Sequence, residues 1–291
     1  MYQIKGYTEA QTLQEAIAAL AGNENSQIIA GGTDVLIKTR ERKGGFTDRE
    51  LVGIMRIPEL QGIVEDGEGI LIGATSSFTE VEESPVIRRH IPSLATAVGS
   101  VGGPQIRNMG TIGGNVANGA TSADSASTLF ALDAILHLQG PEGKREVPIG
   151  DFYMGPGKVD LKNGEILTHI RIPKGCYEGY KGHYIKFSQR KAMDIATLGC
   201  SVMVREEGGV IQDLKIAFGV AGPTPVRAFE AEAYGKGKPV TEETLAVIGE
   251  KCLENASARD SWRASKAFRE QLIRELPKRA VKIALGGNAH A

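Results

Sequence analysis

Gln27-Ile28-Ile29-Ala30-Gly31-Gly32-Thr33-Asp34 is a short apolar run that passes straight into a glycine pair and out into a helical pattern. The spacing predicts a strand over 27–30, a tight turn, then a helix over 34–40. The segments around it agree. Thr12-Leu13-Gln14-Glu15 has the form of a capping box, and Leu13, Ala16, Ile17 and Leu20 fall at helical spacing before Gly22. Strands are expected at 51–54 and 69–73. The opening is therefore α/β in character.

A second glycine pair lies further along, in Thr111-Ile112-Gly113-Gly114-Asn115. Glycine lets the backbone turn with positive φ and lets a bulky ligand approach the chain. Successive N–H groups in such turns form an anion-binding concavity, so two facing turns could cradle a diphosphate without Lys or Arg. Each pair could equally be only a tight turn. Neither a P-loop nor a Rossmann glycine pattern is present.

Helical patterns are expected over 77–98, broken by Pro85 and Pro92, and over 126–132. Strands are expected at 135–138 and 165–172, the latter closed by Pro173. Glycines at 175, 179 and 182 suggest a linker. After it, strands at 198–205 and 210–220 flank Glu206-Glu207-Gly208-Gly209, a hairpin signal. Helices over 241–255 and 265–285 follow, the second expected to be interrupted by Pro277.

Bulk composition excludes several classes. The 291 residues carry 34 Lys+Arg against 35 Asp+Glu, a formal charge of −1. No global positive field recommends nucleic acid or a membrane surface as partner. No apolar run reaches the length of a membrane span, and Met1 to Tyr7 lacks the apolar core of a leader. Cys176, Cys200 and Cys252 are scattered and odd in number, which suits a reducing cytoplasm. They are also too few for an iron–sulfur cluster held by this chain alone. His90, His137, His169, His183 and His290 form no local pair at metal-ligand spacing, so no metal site is expected.

Further segments carry a resemblance. Gly103-Pro104-Gln105-Ile106-Arg107-Asn108, Asn118-Gly119-Ala120-Thr121-Ser122-Ala123-Asp124-Ser125-Ala126 and Met193-Asp194-Ile195-Ala196-Thr197-Leu198-Gly199-Cys200 join the two glycine segments in order. Ala217-Phe218-Gly219-Val220-Ala221 and Ser261-Trp262-Arg263-Ala264-Ser265 extend them towards the end. Together they resemble the FAD-binding subunits of bacterial xanthine dehydrogenases, in the molybdenum hydroxylase family. The chain is similar to carbon-monoxide dehydrogenase medium subunits as well.

The resemblance implies an α+β protein of the FAD-binding type-2 (PCMH-like) fold. It implies two α/β subdomains, about 1–55 and 56–175, within a domain spanning 1–175. A C-terminal domain over 180–288 would add a three-stranded antiparallel sheet and helices. It implies non-covalent FAD on this chain, with [2Fe–2S] clusters on a small partner subunit and molybdopterin on a large one, assembled as a dimer of heterotrimers. Electrons would pass from the clusters to FAD and then to NAD. A related hydroxylase of carbon monoxide, nicotinate or another N-heterocycle is the alternative. A self-contained flavin oxidase, or a scaffold that has lost its flavin, stands further off.

By the same resemblance, Gln27, Ile28, Ile29, Ala30, Gly31, Gly32, Thr33 and Asp34 would wrap the diphosphate. Thr111, Ile112, Gly113, Gly114 and Asn115 would contact diphosphate and ribityl. Asp124 and Lys186 would hydrogen-bond the flavin, with Lys186 a candidate for tuning it. Val101 would lie near the adenine, Ile166 or Leu167 at the flavin end, and Ile195 beside the ring. Simpler readings stand beside these. Asp124 could cap a helix, Lys186 could be a solvated strand residue, Ile195 could be core, and Arg107 could sit on a surface turn or pair with Asp124. Trp262-Arg263 reads as packing or a subunit contact.

Overall fold

A computed structural model describes residues 2–287. The first layer contains β1 (Ile4–Glu9), α1 (Leu13–Ala21), β2 (Ser26–Ile29), α2 (Val35–Arg40) and β3 (Arg49–Gly53). Its three strands are parallel, in the order β1-β3-β2. Each connection is a helical crossover, which parallel neighbours require. Thr12 Oγ1 accepts the Glu15 N–H, but the Glu15 carboxylate reaches the N–H of Gln11, one residue before the cap. Leu13, Ala16 and Leu20 bury the inner face of α1 together with Val52, Ile54 and Ile57.

The second layer holds β4 (Ile63–Glu65), β5 (Gly69–Gly73), α3 (Phe78–Glu83), α4 (Pro85–His90), α5 (Pro92–Gly99), α6 (Pro104–Met109), α7 (Ile112–Ala117) and α8 (Asp124–Ala131). It continues with β6 (Ile135–Gly140), β7 (Gly143–Pro148), α9 (Ile149–Phe152), β8 (Tyr153–Gly155), β9 (Lys158–Val159) and β10 (Ile166–Pro173). Five of these strands form an antiparallel sheet ordered β4-β5-β10-β6-β7. Pro85 and Pro92 break the helical stretch by each opening a new helix at its first position. Proline fits there because that N–H has no intrahelical partner. Ile70, Ile72 and Ile170 of the sheet pack on Phe78, Leu94 and Leu129 of the helices.

The third layer contains β11 (Lys181–Phe187), β12 (Leu198–Glu207), β13 (Val210–Gly219), β14 (Val226–Arg227), α10 (Phe229–Gly235), α11 (Glu242–Lys251) and α12 (Lys266–Ala284). Its antiparallel sheet has four strands where three were expected, because the two residues of β14 pair with the edge of β13. Gly208 and Gly209 both take positive φ, 58° and 79°, as a primed hairpin turn demands. The sheet packs between α5 and α8 on one side and α12 on the other, so β12 is buried from Leu198 to Val204.

Two expectations are corrected here. Pro277 does not interrupt α12, which runs unbroken for 19 residues. Burial of Leu272, Ile273, Leu276, Ala280 and Val281 on one face offsets the single backbone bond that proline removes. The stretch 175–182, expected as a linker, is a turn leading directly into β11. Gly182 packs so closely that a Cβ would stand 2.4 Å from Met203 Sδ and 2.8 Å from Ser93 Oγ. The expected end of the C-terminal domain, at 288, lies outside the described residues.

Candidate functional site

A cleft of about 660 Å³ lies between the first and second layers. Gln27, Ile28, Ala30, Gly31, Gly32, Thr33 and Asp34 line it from the first glycine turn. Val101, Thr111, Gly113, Gly114, Asn115, Ile166, Leu167 and Ile195 complete the expected set on its walls. Four expected residues do not line it: Ile29, Ile112, Asp124 and Lys186.

The two glycine turns differ in chemistry. Among the described residues, no acceptor takes the N–H groups of Gly31, Gly32, Thr33 or Asp34. Gly32 has φ +69°, and a Cβ on Gly31 would stand 1.7 Å from the Met109 carbonyl oxygen. Only glycine allows the turn to sit this close to the end of α6. Four adjacent unspent donors on a cleft wall form an anion cradle.

The second turn spends its donors internally. Ile112 N–H donates to Ser76 O, Gly113 N–H to Ala74 O, Gly114 N–H to Thr111 Oγ1 and Asn115 N–H to Thr111 O. The expectation that both turns offer N–H groups is corrected: the second supplies space. A Cβ on Gly113 would lie 2.5 Å from the Ala74 Cβ, so that glycine packs the turn. A Cβ on Gly114 would stand 2.8 Å from Thr111 Oγ1 with nothing else within 4 Å, and Gly114 itself lines the cleft. Ile112 is fully buried in the second-layer core.

Asp124 and Lys186 form an ion pair behind the wall. Lys186 Nζ donates to Asp124 Oδ2 at 2.8 Å and to Ser100 O at 2.9 Å, and Tyr184 Oη donates to Asp124 Oδ1 at 2.7 Å. Asp124 and the Lys186 side chain are only 8% and 11% exposed. Burial pushes the Asp124 carboxyl up, against the pull of Lys186 and Tyr184. Asp124 is the first residue of α8 and makes no capping bond, Ala123 being the cap. Neither the capping reading of Asp124 nor the solvated reading of Lys186 holds. Arg107 pairs instead with Glu82 at 3.3 Å and donates to Val101 O. The pair ties α8 to β11 and, through Ser100, holds the chain beside Val101.

Ile195 is 47% exposed, so the core reading fails for it; Met193, two residues earlier, takes φ +51°. Trp262 is exposed and stacks on Arg263, so it does not pack into the core of the described residues. His137 and His169 face each other across β6 and β10, yet no group of three His, Cys, Asp or Glu among the described residues could hold a metal. His290 lies outside the described residues. The three cysteines are free.

The residues present fit a dinucleotide cofactor such as FAD. The cleft volume falls within the range of small-molecule sites. The donor cradle suits a diphosphate, and the buried Gln27 Oε1 lacks a partner on the wall. Sequence reasoning missed Lys38, whose Nζ bonds Asn118 Oδ1 and Asp34 Oδ2 at the edge of the cradle. It also missed Phe46, Asn118 and the 157–165 segment. Lys38 sits four residues beyond Asp34, on the same face of a helix, and that spacing was the available signal.

A donor-lined cleft between a parallel α/β layer and an antiparallel sheet layer defines a nucleotide-cofactor-binding protein. The comparisons carry this to a family. The model for the FAD binding domain in molybdopterin dehydrogenase matches residues 2–175, and that for the CO dehydrogenase flavoprotein C-terminal domain matches 183–284. The chain belongs to the FAD-binding subunits of the molybdopterin dehydrogenases, with the type-2 FAD-binding fold. It is 42% identical over 287 residues to the xanthine dehydrogenase FAD-binding subunit of Escherichia coli O157:H7, covering 98% of this chain and 97% of that one. Identity to the carbon monoxide dehydrogenase medium chain of Hydrogenophaga pseudoflava is 31% over 280 residues, 96% of each chain. The solved carbon monoxide dehydrogenase from that organism, lacking the Mo-pyranopterin moiety, superposes with a TM-score of 0.92 at 31% identity over 98% of both chains. Quinoline 2-oxidoreductase from Pseudomonas putida 86 gives 0.92 at 26% identity, over 98% of this chain and 99% of that one.

Proposed function

We propose that this chain carries FAD in a xanthine-dehydrogenase-like assembly. It would receive electrons from the [2Fe–2S] clusters of a small subunit and deliver them to NAD. Hydroxylation would occur at molybdopterin on a large subunit, with the three chains forming a cytoplasmic dimer of heterotrimers. The domain division would be 1–175 and 180–288. The observation that carries the cofactor reading is the run of four unspent N–H groups from Gly31 to Asp34 on the cleft wall. The 42% identity to a xanthine dehydrogenase FAD-binding subunit favours xanthine as the substrate of the assembly.

FAD, when bound, supplies the exchange between single-electron donors and a two-electron acceptor. The chain's own residues bind and orient it. Gly31 to Asp34 donate N–H groups to diphosphate oxygens. Gly114 leaves room for the ligand, and Val101, Ile166, Leu167 and Ile195 offer apolar walls to its rings. Asp124 and Lys186 act from behind, fixing the chain at Ser100 and Val101. A self-contained oxidase is disfavoured because the charged residues that line the cleft, Asp34, Lys38, Lys162 and Glu165, are each already engaged in an ion pair.

The test is co-purification from the native source. The expected complex carries molybdenum, iron and FAD and reduces NAD with xanthine. Recovery with molybdenum but no activity on xanthine would favour the related-hydroxylase alternative. Recovery as a lone chain would refute the assembly.

A further inference from the structure

We propose that Arg145, which does not touch the cleft, is a positioning residue that sets the affinity of the cleft for its ligand. The proposal rests on the reading that the cleft holds FAD. One wall of the cleft is the segment 157–165, which contributes Gly157, Leu161, Lys162, Asn163, Gly164 and Glu165. The backbone of its second half is thinly anchored. Its start is anchored, since β9 pairs with β8, Gly157 N–H bonds Gly119 O and Asp160 N–H bonds Phe152 O, but over 161–165 the Leu161 and Glu165 N–H groups bond only within the segment. Gly164 turns the chain with φ +78°.

Arg145, on β7, closes this bend with one guanidinium. Nε and Nη2 donate to Glu165 Oε1 and Oε2, and Nη1 and Nη2 donate to Asp160 Oδ2 and Asp160 O, all at 2.7 Å. Glu165 Oε2 in turn accepts the Lys162 N–H at 2.7 Å. Both ends of the 160–165 bend are therefore pinned to the sheet through one side chain, in the planar bidentate geometry that Lys lacks. Charge acts in the same direction. The Glu165 side chain is 9% exposed on the wall of a cleft built for an anion. Arg145 holds that carboxyl below the usual range and offsets its charge. Without Arg145 the wall is both loose and negative.

The test uses the full chain and three variants, Arg145→Met, Arg145→Lys and Arg145→Met with Glu165→Gln. FAD dissociation constants come from flavin fluorescence at a temperature where every variant is folded. Hydrogen exchange of the FAD-free chain is followed in parallel. Arg145→Met should weaken FAD roughly tenfold, and adding Glu165→Gln should recover part of that loss. Exchange should quicken within 160–165 and nowhere else. Should Arg145→Met fail to fold, Arg145→Lys carries the same two readouts, with a smaller loss. Wild-type affinity in Arg145→Met, or no recovery on adding Glu165→Gln, overturns the proposal. If the wild-type chain takes up no FAD, the cofactor reading fails separately; exchange then decides the clamp, and an unchanged 160–165 rate refutes it.

Discussion

Lys186→Met removes the cation that, among the described residues, pairs with the buried Asp124 carboxylate, and its effect should depend steeply on pH. In the native chain burial raises the Asp124 pKa above its ordinary 3.8, and Lys186 opposes the shift. With the ammonium gone, the Tyr184 hydroxyl is left to oppose burial and the folded-state pKa rises further. Between the unfolded and folded values the native state holds one more proton than the unfolded state. Stability therefore falls as pH rises through that window, by up to about 1.4 kcal/mol per pH unit. Breaking a buried pair leaves a penalty of about 3–5 kcal/mol when the remaining group is ionised. The low exposure of both partners places this pair in that class. Urea unfolding should thus find the variant's deficit modest near about pH 5 and several kcal/mol near about pH 8. Adding Asp124→Asn should flatten the profile and restore most of the neutral-pH loss. A deficit equal at both pH values, or a double variant no better than Lys186→Met at neutral pH, would refute the reasoning.

Arg269 is 2% exposed, and its guanidinium bonds only neutral oxygens: Thr197 O, Arg259 O and Ser261 Oγ. Arg269→Met should lower stability by about 3 kcal/mol in urea unfolding and speed proteolysis within 188–197, the loop that ends at Thr197. The thiols give a separate check on burial. Cys200 and Cys252 are fully buried, whereas Cys176 is half-buried; burial pushes all three thiols up, but only Cys176 meets solvent. A disulfide reagent should modify one thiol in the native chain and three after unfolding.

Local signals in the chain were legible wherever a residue type has one dominant use. Thr12 and Glu15 marked the start of α1, Gly208 and Gly209 marked the hairpin, and Pro85 and Pro92 marked breaks in the helical stretch. β1 escaped notice because its residues are mostly exposed and show no apolar alternation. Pro277 misled because its local penalty is visible in sequence while the buried face that overrides it is tertiary. The glycine pairs were recognisable as ligand-facing turns. Their different roles were hidden, since two of the acceptors that consume the second turn's donors, Ser76 O and Ala74 O, lie far away in sequence. Asp124 and Lys186 were singled out, but their pairing across 62 positions belongs to the packing of α8 on the third-layer sheet, through β12 and β13. Arg145 offered no signal at all, because its partners Asp160 and Glu165 meet it only across a folded loop.

The central claim is that the glycine-lined cleft binds FAD through the donors of Gly31 to Asp34, with Gly114 keeping the opposite wall clear. Fluorescence titration of the purified chain with FAD tests it most directly. One FAD per chain is expected, with affinity falling by more than about tenfold in Gly114→Val, whose added side chain would crowd the cleft wall and press on Thr111 Oγ1, 2.8 Å from its Cβ. Failure of the wild-type chain to take up FAD, or equal binding by a folded Gly114→Val chain, would contradict it.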